Sequence, residues 1–125
     1  MKFEWRHGLI WVSIIIVYEG ISTKIDNCII DTGSKTTMID IDLIEFNYQK
    51  PAIIKRLFGI GNGTQEVICQ PVDKVIIADI ELEYVEMEFG NIKEKLGING
   101  LIGNDILSKF ILKINYEQQI IEFTL

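Results

Sequence analysis

The sequence predicts an all-β fold, a closed or nearly closed β-barrel with one or two short helices, built as a single domain over residues 1–125. Three observations carry this. Isoleucine-rich segments are short and separated by glycine-containing turns, which favours strands over helices. Only two prolines, Pro51 and Pro71, interrupt the chain. The dipeptide Asn62-Gly63 lies between two β-type runs, where a two-residue hairpin turn needs positive φ at both central residues.

The elements follow in order. Residues 3–6 form a short strand ending at a His7-Gly8 turn, and residues 9–18 and 22–30 read as two long strands joined at Glu19-Gly20. Asp31 stands at the end of the second of these. Asp40 is placed to cap a short helix over residues 41–47, with Ile41, Ile44 and Tyr48 on one face. Residues 53–60 and 64–69 flank Gly61-Asn62-Gly63 as a hairpin, and residues 72–77 and 80–89 continue the β pattern. Residues 98–103, Ile-Asn-Gly-Leu-Ile-Gly, lead into a short helix over 105–109 capped by Asn104. Residues 110–116 and 119–123 close the chain as a hairpin around Glu117-Gln118.

Composition narrows the function classes. A chain of 125 residues with 48% hydrophobic and 24% charged residues can bury a core without a metal or a disulfide. The net charge is −6 with no lysine or arginine cluster, so no nucleic-acid partner is expected. Cys28 and Cys69 are far apart and read as two free thiols in a reducing cytoplasm; Cys28, three residues before Asp31, reads as a buried, inert strand cysteine. With His7 as the single histidine, a serine or cysteine triad within one chain is not expected, nor is a metal site or any cofactor. The apolar run 9–18 lacks a signal-peptide cleavage site and is too short to span a bilayer, so a cytoplasmic protein without a membrane partner is expected. Asp40, Asp42 and Glu45 read as a solvated helix start. Asp79, Glu81, Glu83, Glu86 and Glu88 read as a solvated strand face.

The most informative stretch is residues 29–34, Ile-Ile-Asp-Thr-Gly-Ser, in which an apolar strand delivers Asp31 into a tight glycine turn. Burying a carboxylate disfavours its charged form, and proteins tolerate that chiefly where the carboxylate does chemistry. The Asp-Thr-Gly triplet occurs once. With the hairpin at Gly-Ile-Gly-Asn-Gly-Thr (59–64) and the Gly-Leu-Ile-Gly element (100–103) before a short helix, nearly the whole chain resembles the retropepsin-like aspartic proteases. The small bacterial members are the nearest in character.

That resemblance implies roles. Asp31 is the catalytic aspartate, Thr32 bonds across a dimer to lock two active-site loops together, and Gly33 permits the tight turn. Ile60, Gly61, Asn62 and Gly63 form the tip of a flap that closes over substrate. Leu101-Ile102-Gly103 packs beneath the catalytic loop. Viral members carry arginine after that last glycine; here it is Asn104, which removes an ion pair typical of viral dimers. The implied function is a homodimeric aspartic endopeptidase acting on extended peptides with apolar residues at the scissile bond, through a water activated by two Asp31 carboxylates, one per subunit. The alternative is the same barrel used as a non-catalytic dimerisation or peptide-binding module.

Overall fold

The computed structural model describes residues 1–58 and 64–125. Ten strands lie along it: β1 (Glu4–Arg6), β2 (Leu9–Tyr18), β3 (Ile21–Ile30), β4 (Met38–Asp40), β5 (Ile53–Phe58), β6 (Thr64–Ile77), β7 (Ile80–Gly90), β8 (Gly100–Ile102), β9 (Ile111–Asn115) and β10 (Ile120–Thr124). Two four-residue helices, α1 (Lys93–Leu96) and α2 (Asn104–Leu107), accompany them. The first eight strands form one sheet in the order β1-β2-β3-β8-β4-β7-β6-β5, and an added pairing of β2 with β6 closes six of them into a ring. Closure removes most exposed edges. The chain is therefore all-β, as the short isoleucine segments predict.

The turns form as their residues require. His7 and Gly8 have φ of 53° and 72°, Glu19 and Gly20 51° and 77°, so both connections place positive φ at the two central positions. On β2, Ile10, Val12, Ile14, Ile16 and Tyr18 alternate inward into the main core, while Trp11 faces the other way into a second cluster with Ile29, Met38, Val67, Cys69, Ile92 and Ile98.

β3 carries the irregularity that sets the direction of Asp31. Its pairing with β2 runs Trp11↔Ile29 and Val12↔Cys28, then resumes at Ile14↔Ile25, so β3 holds one extra residue there. Asn27 takes a left-handed φ of 56° at this bulge. The phase of the strand changes as a result. Ile25 and Cys28, three residues apart, both face the main core, and Ile29 turns to the opposite side.

Three local expectations are corrected. The segment after Asp40 is a three-residue 3-10 turn, Ile41–Leu43, rather than a helix to residue 47. Asp40 does cap it, accepting from the Asp42 N–H at 3.2 Å. The same carboxylate also accepts from the Ile92 and Lys93 N–H groups, at 3.0 and 2.9 Å, at the start of α1. With three donors to satisfy, Asp40 is buried, not solvated. The break expected at Pro71 is absent. β6 runs through it because that edge of β6 is changing partner, from β5 (last paired at Cys69) to β2 (first paired at Lys74). The third correction concerns Asn104, which lies inside α2 and does not cap it.

At the far end of the chain, β9 and β10 form a separate hairpin sheet whose second strand is joined by the N-terminus. The Met1 ammonium donates to the Ile121 carbonyl and the Ile121 N–H to the Met1 carbonyl, each at 2.9 Å. No helix among the described residues is long and apolar enough to cross a membrane.

Candidate active site

Asp31 leaves β3 on the side selected by the bulge. β3 runs parallel to β8, pairing Cys28↔Gly100, Ile29↔Leu101 and Ile30↔Ile102, and the Asp31 N–H continues that ladder by donating to the Ile102 carbonyl at 2.9 Å. Ile30 packs on the main core, so alternation puts Asp31 with Ile29 on the opposite face. Had β3 kept the phase of Ile25, both would point inward. A carboxylate in the core would then be desolvated with no partner.

The loop is a tight turn held by its own groups. The Asp31 carbonyl accepts from Ser34 N–H at 3.2 Å, and Asp31 Oδ1 accepts from Gly33 N–H at 2.9 Å. A Cβ at Gly33 would stand 3.2 Å from Asp31 Oδ1, so the glycine makes room for the carboxylate. Asp31 is half-buried, and Thr32 and Gly33 are exposed. The apolar strand thus ends at Asp31, and the turn that follows faces outward.

Behind the turn, residues 34–37 are pinned to α2 and β8. Asn104 Nδ2 donates to the Thr32 carbonyl at 2.8 Å, Asn104 N–H to the Ser34 carbonyl at 2.8 Å, and Asp105 N–H to the Lys35 carbonyl at 3.1 Å. Buried Thr37 accepts from Gly103 N–H at 3.0 Å and donates its hydroxyl to Asp105 Oδ1 at 2.7 Å, while its N–H donates to Asp105 Oδ2 at 3.1 Å. The contact is so close at Gly103 that a Cβ there would lie 2.3 Å from the Thr36 carbonyl oxygen. Leu101-Ile102-Gly103 thus lies directly beneath the turn. The residue that departs from the viral pattern, Asn104, takes up a positioning role of its own.

Thr37, Asp105 and Asn27 are the contributors that sequence reasoning passed over. Their only trace in the sequence is a pair of hydroxyls, Thr36-Thr37, entering the apolar strand β4, and an Asp-Asn pair inside β3. Glu88 departs from the solvated face that the alternation of its strand predicts. It is instead 4% exposed, and its Oε1 accepts from the Thr36 hydroxyl at 2.6 Å. The other acids of that run, Asp79, Glu81, Glu83 and Glu86, are exposed as expected or nearly so.

Both cysteines are free and buried. Desolvation pushes the Cys28 thiol up to about 12, with the Asp26 charge adding to it, and burial also raises Cys69. Neither is a nucleophile near neutral pH. The β5–β6 hairpin is present, paired from Ile53↔Cys69 to Phe58↔Thr64. The expected flap tip, Ile60, Gly61, Asn62 and Gly63, lies outside the described residues.

No known protein-family model and no curated protein matches this sequence. Among solved structures, the crystal structure of a retropepsin-like aspartic protease from Rickettsia conorii is similar, with a TM-score of 0.69 and 18% identity. The match covers 98% of this chain and 88% of that one. At that identity the likeness is one of fold. The turn at Asp31, the element at 101–103 beneath it and the ring of strands around them thus belong to a chain with the retropepsin-like aspartic protease fold.

Proposed function

We propose that the chain is a homodimeric aspartic endopeptidase in which Asp31 from each of two subunits forms the catalytic pair. The observation that carries this is the outward-facing turn. One chain supplies one Asp31, braced from behind by Ile102, Gly103 and Asn104, while Thr32 and Gly33 stay exposed on the open side. A two-fold axis beside that turn would bring the two carboxylates together and bury what one chain leaves exposed.

The chemistry needs both. In aspartic proteases generally, two adjacent carboxylates cannot both ionise and share one proton. The charged Asp31 would take a proton from a water as its oxygen attacks the scissile carbonyl, and the protonated one would donate to the carbonyl oxygen. Collapse of the tetrahedral intermediate breaks the C–N bond, and a carboxyl proton passes to the leaving amine. Thr32 would bond across the axis. The segment around Ile60, Gly61, Asn62 and Gly63 would close over the peptide, which lies extended and adds main-chain bonds as a strand does. Free Cys28 and Cys69 fit a reducing, cytoplasmic setting.

The test is cleavage of a peptide library by wild type and by Asp31→Asn, with and without a pepstatin-like inhibitor. Cleavage that the inhibitor and Asp31→Asn both abolish, in a variant with unchanged circular dichroism, supports the reading. Peptide binding without turnover, indifferent to Asp31→Asn, would instead make the chain a binding module.

A further inference from the structure

Glu88 occupies an unusual place. Strand register sets a single row across the sheet: Trp11 on β2 opposite Ile29 on β3, Ile29 opposite Leu101 on β8, and Leu101 opposite Met38 on β4. The row then runs from Met38 to Glu88 on β7 and from Glu88 to Cys69 on β6. Directly opposed residues share a face. Trp11, Ile29, Met38 and Cys69 belong to the second cluster, with Leu101 packed on it, and this is the face onto which the bulge turns Asp31. Glu88 alternates with Met87 and Phe89 of the main core, so it too points to that face. It is the one carboxylate in an otherwise apolar row.

Its bonding is incomplete. Among the described residues, Thr36 is the only hydrogen-bond partner of the Glu88 carboxylate, through Oε1, and no lysine or arginine nitrogen lies within ion-pair distance. Yet no fully buried side-chain nitrogen or oxygen among them lacks a partner. Oε2 therefore reaches an opening in a residue that is otherwise 96% covered, on the 4% exposure already noted. An incoming cation would satisfy the free oxygen with a charge-assisted bond.

We propose that Glu88 is a specificity-determining residue that selects a lysine or arginine side chain of the substrate near the scissile bond. This rests on the endopeptidase reading above and adds a polar requirement to an otherwise apolar cleft. The distance fits. Strands lie about 4.8 Å apart, so Glu88 stands about 10 Å from Leu101 beside the Asp31 turn, and an extended peptide advances about 3.3 Å per residue. The cation therefore belongs within about three residues of the cleaved bond.

The experiment compares kcat/KM for matched peptides, identified by library profiling, that carry lysine or its uncharged isostere norleucine at each position within three residues of the cleaved bond. Wild type should prefer lysine by about tenfold or more at one position. Glu88→Gln keeps an acceptor for Thr36 and removes the charge; it should lose that preference while cleaving the norleucine peptide as wild type does. Thr36→Val removes the donor and should keep the preference. Wild type that cleaves without preferring lysine anywhere in that window overturns the proposal and leaves the endopeptidase reading standing. Equal losses on both peptides in Glu88→Gln and Thr36→Val would make the contact purely structural and also overturn it. No cleavage by wild type, or cleavage that Asp31→Asn leaves unchanged, removes both.

Discussion

At the scale of single residues, the direction of the Asp31 side chain depends on a backbone conformation four residues earlier. Asn27, at φ 56°, absorbs the extra residue of β3 and reverses the strand's phase, and its neighbours hold it there. Its carbonyl accepts from Asn99 N–H at 3.0 Å, and its Oδ1 accepts from Arg6 at 2.8 Å. Asparagine tolerates the left-handed region and a β-branched residue does not. Asn27→Val should therefore cost about 1–2 kcal/mol in urea unfolding, and Asn27→Gly distinctly less. Gly103 is the stricter position, because a methyl group would meet a backbone oxygen rather than a movable side chain. Gly103→Ala should destabilise by about 3 kcal/mol or more and abolish the proposed cleavage, since the added methyl pushes on the Ser34–Thr36 backbone of the Asp31 loop. Cys28 offers a pH test. Its thiol is raised from 9.0 to about 12, so the folded chain holds the proton that the unfolded chain releases first. Its contribution is fully present below about pH 9 and is lost as pH rises toward 12, at up to about 1.4 kcal/mol per pH unit. Stability against denaturant should accordingly fall more steeply between pH 9 and 12 for wild type than for Cys28→Ala.

At the scale of elements, one carboxylate joins two pieces of structure that neither piece announces. Asp40 ends β4, caps the 3-10 turn and accepts from two of the free N–H groups at the start of α1, 52 and 53 residues away. Asp40→Ala leaves three donors without an acceptor and should cost about 3 kcal/mol in thermal or urea unfolding; Asp40→Asn, which keeps one acceptor oxygen, should cost less. This also marks how far the sequence could be read. The strands were legible because alternation, apolar runs and glycine turns are local signals, and the ends of β2 and the turns at His7-Gly8 and Glu19-Gly20 follow from them directly. Asp31 and the Leu101-Ile102-Gly103 element were legible as motifs. Asp40 was legible as a cap, but its bonds to α1, and the roles of Asp105 and Glu88, were not, because their partners lie 52 to 68 residues away where no periodicity reveals them. A charged residue in an alternating strand reads as solvent-facing, and for Glu86 it is; for Glu88 a hydroxyl from the Asp31 loop replaces the solvent. α1 is not legible in the sequence for a related reason. Four residues contain too little of a helical period to stand out, and its cap comes from another strand.

At the scale of the whole molecule, the ring of strands presents the Asp31 turn on an open side, which under the proposed function is half of a catalytic centre. The brace of hydrogen bonds behind the Asp31 turn is complete within one chain, whereas Thr32 and Gly33 in front of it meet solvent. The proposed mechanism places the second carboxylate in another copy, so a chain carrying Asp31→Asn should poison its wild-type partner. The most direct measurement mixes unfolded wild type and Asp31→Asn in varying ratios at constant total concentration, refolds them together, and records peptide cleavage. If each active centre needs two intact Asp31 residues, activity falls as the square of the wild-type fraction, and an equal mixture retains about a quarter of it. A linear fall, with about half the activity in the equal mixture, would mean that one chain cleaves alone and would contradict the shared active site.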